Sequence, residues 1–412
     1  MINFSVYTLV TNLCGYCQVW NISLPETFIS SCGLQFDSQT RDYVINSSTS
    51  IRLKMEELER FRSESVDLLD RCAHRVISIE TPKITLGHFS PLVMKKIKGL
   101  ENLCILMSGS SDTQYDVVKN LSNLIVGNCD SVQTLTLRGI YDINNYADSE
   151  IKQGLTELQV LDVSFVQDIF GKNIQNFVYQ ILRCPDSKLS DVRFVFADLR
   201  GFEHFDAQLN NLKRITIHHC KIGHGGFLNL ITKCCDSVEY LDVFILKDES
   251  TLAPIHFNLL NSLTCTLKSL KSLKIEGDFK YYDDHKYCVE LQNILNCSPS
   301  LEELEIRKMK ISAQSLVQLK PSKLKRLKMS RCQLPELLQI ILSCDQHLEQ
   351  LYMDCGLNQI HQEHQEFQHF FESQWYLPNL KSVEFIGPRN FNVGDAFTWH
   401  VPEDAVMNIV QS

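Results

Sequence analysis

The stretch Leu324-Lys325-Arg326-Leu327-Lys328-Met329-Ser330-Arg331-Cys332-Gln333-Leu334 places an apolar residue, skips two, places another, skips one and places a third. The step of two from Leu327 to Met329 is the alternation of a strand with one face buried. Downstream, Leu334, Leu337, Leu338, Ile341 and Leu342 recur at helical spacing, with Pro335 in the first turn, where a missing N–H leaves no helical hydrogen bond unmade. Cys344, Asp345 and Gln346 then form a turn, and Leu348, Leu351 and Met353 begin the pattern again. The unit is therefore strand, turn, helix, turn. Eleven copies begin at Leu100, Val132, Leu158, Leu189, Leu212, Val238, Leu270, Leu301, Leu324, Leu348 and Leu380, separated by 32, 26, 31, 23, 26, 32, 31, 23, 24 and 32 residues.

Steps of 23 to 26 match the leucine-rich period, and the longer steps leave room for a loop beside the helix. The spacing predicts an α/β leucine-rich repeat solenoid, with a curved parallel sheet on the concave face and helices on the convex face. Residues 72–400 would hold about 11 to 12 coils, with Ile77 and Ile79 as one more strand before the first clear copy. A solenoid places its core between neighbouring coils and offers one long face outward, which points to binding rather than catalysis.

Bulk properties narrow the partners. The 412 residues are 44% hydrophobic and 22% charged, with a net charge of −9, so the summed field repels phosphates and anionic lipid. Neither nucleic acid nor a membrane is expected as partner, and no run reaches the ~18 apolar residues of a membrane span. Met1 to Ile22 lacks the basic start and small-residue cleavage site of a secretory signal. Of the 16 cysteines, Cys129, Cys184, Cys235, Cys297 and Cys344 sit three to five residues before a repeat start, and Cys220, Cys332 and Cys355 fall just after a strand. Such periodic placement reads as small buried side chains, set too far apart from coil to coil for disulfides. A reducing compartment, cytosol or nucleus, is expected.

Stacked parallel strands also make the charges readable. Lys274, Glu305 and Lys328 share one outward position in successive repeats, as do Glu303 and Arg326. Alternating signs make the basic stretch Lys320 to Arg331 a solvated, self-compensating face rather than a phosphate site. The middle repeats differ, placing Phe165, Val195, Phe196, Thr216, His218, His219, Tyr240, Phe244 and Ile245 at outward positions. An aromatic stripe on a solenoid strand face marks a partner site. The candidate partner-binding residues are Phe165, Arg193, Phe196, His218, Tyr240 and Phe244, with a protein substrate on the concave face. The other reading of the stripe is an irregular coil whose residues pack beneath a loop.

Sites for chemistry are not written in the chain. Cys14 and Cys17 form one Cys-x-x-Cys without a second pair, and His361 and His364 do not write a zinc-protease helix. Gly225-Gly226 lacks the lysine of a phosphate loop, and no Gly-x-Ser-x-Gly elbow is present. No catalytic residue, metal or cofactor is expected.

Leu212 to Ile222 and Leu324 to Leu334 read Leu-x-x-Leu-x-Leu-x-x-Cys with an apolar residue two further on, and the corner phrases include Cys235-Asp236-Ser237-Val238 and Cys297-Ser298-Pro299-Ser300-Leu301. These resemble the cysteine-containing leucine-rich repeats of F-box proteins, the substrate-recognition subunits of Skp–cullin–F-box ubiquitin ligases. Cys17-Gln18-Val19-Trp20 resembles the end of an F-box, and Leu34-Gln35-Phe36-Asp37 with Val44-Ile45-Asn46 resembles the connection that follows. The resemblance implies a remnant of the F-box carboxyl-terminal helices in 1–35, with Cys17 and Trp20 facing the adaptor. It also implies a connecting and capping segment over 36–71, with a helix over Ile51 to Leu69, and a tail over 401–412. Partners would be the Skp adaptor, cullin and a protein destined for degradation; the alternative is a leucine-rich scaffold or regulatory adaptor with no ubiquitin role.

Overall fold

Repeated apolar residues at the first, fourth and sixth positions can all be buried only if successive copies stack in register. The computed structural model describes residues 34–37, 42–45, 51–54, 73, 76–82, 91–106, 114–138, 155–164, 175–184, 186–199, 201–244, 265–277, 288–312, 323–331, 347–354, 377–387 and 404–411. Two compact units divide the chain, Met1–Asp198 and Leu199–Ser412. Each is built from leucine-rich coils, so the fold is a leucine-rich repeat solenoid.

In the first unit β1 (Leu34–Asp37) and β2 (Asp42–Ile45) form an antiparallel pair. Six parallel strands follow: β3 (Ile51–Lys54), β4 (Val76–Pro82), β5 (Asn102–Leu106), β6 (Thr134–Arg138), β7 (Val160–Ser164) and β8 (Asp191–Val195). Their register aligns Ile79, Leu103, Leu135, Leu161 and Val192 in one buried row, and Ile105, Leu137, Val163 and Phe194 in the next. Helices α1 (Pro91–Lys96), α2 (Gln114–Gly127) and α3 (Gln175–Leu182) lie between the strands in sequence.

The second unit opens with a 3-10 turn (Phe202–His204) and carries eight parallel strands. These are β9 (Arg214–His218), β10 (Tyr240–Phe244), β11 (Ser272–Glu276), β13 (Glu303–Arg307), β15 (Arg326–Ser330), β16 (Gln350–Asp354), β17 (Ser382–Gly387) and β18 (Val406–Gln411). Two short strands, β12 (Cys288–Glu290) and β14 (Lys310–Ser312), pair separately, and α4 (His224–Lys233) and α5 (Leu291–Cys297) are the described helices. Ile215, Leu241, Leu273, Leu304, Leu327, Leu351 and Val383 make one uninterrupted buried row. Ile217, Val243, Ile275, Ile306, Met329, Met353 and Phe385 make the second. Each such side chain taken from water stabilises by about 1.5–3 kcal/mol, and each needs the next coil to be buried.

Polar groups inside the stack tie coils together. Asn128, fully buried past the end of α2, accepts from Leu100 N at 3.0 Å and donates to Ile97 O at 3.1 Å and Leu124 O at 2.8 Å. Three residues on, Ser131 donates to Leu100 O at 3.0 Å, and its counterpart Ser237 donates to Leu209 O and Leu212 O at 2.9 Å each. The Gly225-Gly226 pair also has a packing role: a Cβ at Gly226 would stand 3.2 Å from Phe202 Cβ and 3.3 Å from Ile222 Cγ1, so glycine lets α4 settle on the 3-10 turn.

Two expectations are corrected. Ile51–Lys54 is strand β3, not the start of a helix, because Ile51 and Leu53 alternate with Arg52 and Lys54 and run parallel to β4. Residues 401–412 are more than a tail: in Val406–Gln411, Met407 and Ile409 pair with Val383 and Phe385 and extend the ladder by one strand. Cys104, Cys129, Cys184, Cys220, Cys234, Cys235, Cys265 and Cys297 are free thiols, and burial, then the neighbouring Cys235 and Cys265, pushes the Cys234 thiol far up, which keeps it unreactive. The strand anticipated at Ile77 and Ile79 is β4.

Leu304 sits mid-row and is 1% exposed. Leu304→Ala should lower the unfolding free energy by roughly 2–5 kcal/mol in urea titrations, whereas a loss below ~1 kcal/mol would contradict this register.

Candidate protein-interaction face

Residues between the buried positions of each strand face outward, and the register sorts them into rows. In the second unit the central row reads Thr216, Asp242, Lys274, Glu305, Lys328, Tyr352 and Glu384. The row before it reads Arg214, Tyr240, Ser272, Glu303, Arg326, Gln350 and Ser382, and the row after it begins His218, Phe244, Glu276 and Arg307. The charge ladder expected at Lys274, Glu305 and Lys328 is therefore in register, and Arg326 pairs with Glu303.

Aromatic residues gather at the amino-terminal strands of this unit. Tyr240 is 37% exposed, among the few exposed large hydrophobic residues of the described chain, and the Arg214 guanidinium lies over its ring at 4.6 Å. Phe244 is half-buried. His219 meets its ring edge-on at 4.1 Å between centroids, His218 at 5.9 Å, and Lys308 stands 5.6 Å above it. Tyr240 thus presents part of its ring to solvent beside the Arg214 guanidinium, while Phe244 is more fully covered by its own neighbours. A third aromatic, Tyr352 on β16, lies under Lys328 at 4.5 Å and was not singled out from sequence.

Beside them His218 Nε2 lies 3.0 Å from Asp242 Oδ1, with Lys274 Nζ 3.6 Å from Oδ2. Neither of the two facing atoms has another partner among the described residues. Burial alone would raise the Asp242 carboxyl; the His218 and Lys274 contacts outweigh it and hold Asp242 below the ordinary carboxylate value.

The strand ends carry unusual backbone. His219, Lys308 and Arg331, each one residue past its strand, have φ of 54°, 52° and 56°. That left-handed conformation costs a non-glycine residue about 1–2 kcal/mol. It turns His219 N–H onto Phe244 O at 2.8 Å and Lys308 N–H onto Ser330 O at 2.9 Å, adding a bond between coils. Gly277 follows β11 at the same place without the left-handed φ, and a Cβ there would run into the Lys308 carbonyl oxygen.

A longer charge ladder, absent from the sequence reading, runs along the residues that immediately precede the strands: Lys213, Glu239, Lys271, Glu302, Lys325, Glu349 and Lys381. Backbone bonds link the rungs, as in Glu239 N–H to Lys213 O at 2.8 Å and Lys381 N–H to Glu349 O at 2.7 Å. Side chains pair at 2.6 Å for Lys271–Glu239, 2.9 Å for Lys325–Glu302 and 2.6 Å for Lys381–Glu349. The Lys271 hydrogen bond holds Glu239 below its ordinary value, and Lys381 does the same for Glu349. The signal was available as a sign alternating at the second position of each repeat.

The remaining candidates fall elsewhere. Arg193 and Phe196 belong to the first unit, where Arg193 is half-exposed and 3.8 Å from Asp162, and Phe196 follows β8 with φ 53°. Phe165, Ile245, Cys17, Trp20 and the His361–His364 pair lie outside the described residues. Among the described residues no helix is long and apolar enough to cross a membrane.

No family model matches the chain, and no curated protein matches it. Among solved structures it is similar to an internalin from Listeria monocytogenes, at 15% identity over 76% of this chain and 85% of the internalin, with a TM-score of 0.36.

Two measurements follow. Phe244→Ala should lower stability by about 1–2 kcal/mol in chemical unfolding, whereas Tyr240→Ala should change it by less than ~0.5 kcal/mol. Asp242, Glu239 and Glu349 all titrate lower in the folded chain, so their contribution is complete above the ordinary carboxylate range and is lost as pH falls through it toward the folded values. The midpoint of thermal unfolding should therefore drop in that acid window, and Asp242→Asn should flatten the drop.

Proposed function

We propose that this chain is a non-catalytic protein receptor of the leucine-rich type, whose outward sheet face docks a protein substrate. The observation that carries the reading is Tyr240, exposed on a strand face beside Arg214 and the partly covered Phe244, because aromatic and arginine side chains dominate interface energetics. The ladders beside it are mutually compensated, so they would orient a partner more than attract it.

The finer reading is a substrate-recognition subunit of a Skp–cullin–F-box ubiquitin ligase, directing degradation of its partner. Its support is the Leu-x-x-Leu-x-Leu-x-x-Cys phrasing of Leu212 to Ile222 and Leu324 to Leu334, with Cys17-Gln18-Val19-Trp20 upstream as the adaptor-facing remnant. Arg193, Phe196 and Phe165 remain candidate substrate contacts by the sequence pattern alone. Free thiols at eight described cysteines suit the cytosol or nucleus, where such assemblies work.

The test is affinity purification of the tagged chain from cells, once as given and once with upstream coding sequence added. Recovery of the Skp adaptor and cullin supports the ligase role, and recovery of neither reduces the reading to a ubiquitin-independent scaffold. Tyr240→Ala should weaken the co-purifying substrate by about 2 kcal/mol, roughly thirtyfold, while leaving adaptor recovery unchanged. Equal recovery of substrate would remove the sheet face from the interface.

A further inference from the structure

At the rim of the second unit, before β13, β15, β16 and β17, lies a groove of about 520 Å³ whose seven lining residues are all polar. They are Glu302, Lys323, Lys325, His347, Glu349, Asn379 and Lys381. Four of these are rungs of the ladder, closed into the pairs Lys325–Glu302 at 2.9 Å and Lys381–Glu349 at 2.6 Å. Lys323 and His347 are exposed and have no hydrogen bond or ion pair among the described residues. Three lysines against two glutamates leave the groove cationic even with the imidazole neutral, so the self-compensation expected over Lys320 to Arg331 does not extend to Lys323.

The repeat register sets these two side chains apart. The residue just before the first buried leucine or valine of a coil is serine in four other coils, Ser131, Ser237, Ser269 and Ser300, and Gly99, Glu157, Lys188 or Asn211 in the rest. At Ser131, Ser237 and Ser269 the hydroxyl donates to a carbonyl of the preceding coil, at 3.0, 2.9 and 2.7 Å. Lys188, in the same row, is closed by Glu157 at 2.7 Å. Lys323 and His347, in adjacent coils, have neither the serine tie nor an ion pair among the described residues, and with Asn379 they line the groove.

We infer that this groove is a binding site for an oxyanion, a carboxylate or phosphate-type group, held by the Lys323 ammonium and an N–H of His347, with the paired lysines of the ladder reinforcing the field. An imidazole donates one N–H in either protonation state, and charge-assisted bonds to an oxyanion are the stronger kind. The site is separate from the Tyr240 face and does not depend on the docking reading.

The test is calorimetric titration of the full chain with sodium sulfate against sodium chloride at matched ionic strength. Sulfate should bind saturably. Lys323→Ser with His347→Ser, the residue found at this place in four other coils, should weaken it about tenfold or more, while Lys213→Ser at the other end of the ladder should not. Circular dichroism and thermal unfolding should show the double variant folded, since both side chains are exposed. Competition by a capped tetraglutamate peptide would identify a peptide carboxylate as the natural group, and its failure to compete would leave a free inorganic oxyanion. Non-saturable sulfate, or equal binding by the double variant, overturns the site. Neither result bears on substrate recovery by Tyr240→Ala, so the two readings fail separately.

Discussion

Everything in this chain depends on one-to-one parallel register between successive strands. A coil of 23 to 32 residues has no interior of its own, so Leu273 is buried only because Leu241 and Leu304 flank it. The rule extends to polar groups. Asn128, Ser131 and Ser237 are tolerated between coils because each makes hydrogen bonds to the backbone of the preceding coil. A buried amide or hydroxyl without such a partner would cost on the order of 1–3 kcal/mol.

The same register organises the surface. Outward residues of equal rank lie about 4.8 Å apart, close enough for Lys, Arg, Asp and Glu to pair across coils. Exposed pairs contribute only ~0–1 kcal/mol each, so the rows fix alignment more than they supply stability. Against this compensated background the exceptions stand out: Tyr240 and Phe244 on β10, and Lys323 with His347 at the rim.

Much of the fold was legible because its signal is periodic. The positions expected to be inward, among them Leu304, Leu327 and Phe385, are buried, and the alignment of Lys274, Glu305 and Lys328 needed only the coil length. The chain ends were harder. Ile51–Lys54 and Val406–Gln411 lack the full Leu-x-x-Leu-x-Leu phrase, and they are strands because a formed neighbour offers an edge, which is tertiary information. The site was legible as an outward aromatic stripe but not as contacts. Nothing local shows that Lys308, two strands away from Phe244 in the sheet, reaches over that ring, or that His219 turns into it through a left-handed backbone.

The ladder from Lys213 to Lys381 has a consequence for how this half can change length. Its signs alternate strictly, so its period is two coils although the fold's period is one. Excising a single coil would bring Lys against Lys or Glu against Glu at the joint, while excising two would restore Lys against Glu. Like charges at facing positions of a sheet are destabilising. The backbone would accept any number of coils, while the ladder favours even changes by the small margin of one exposed pair, a bias toward adding or losing repeats in twos.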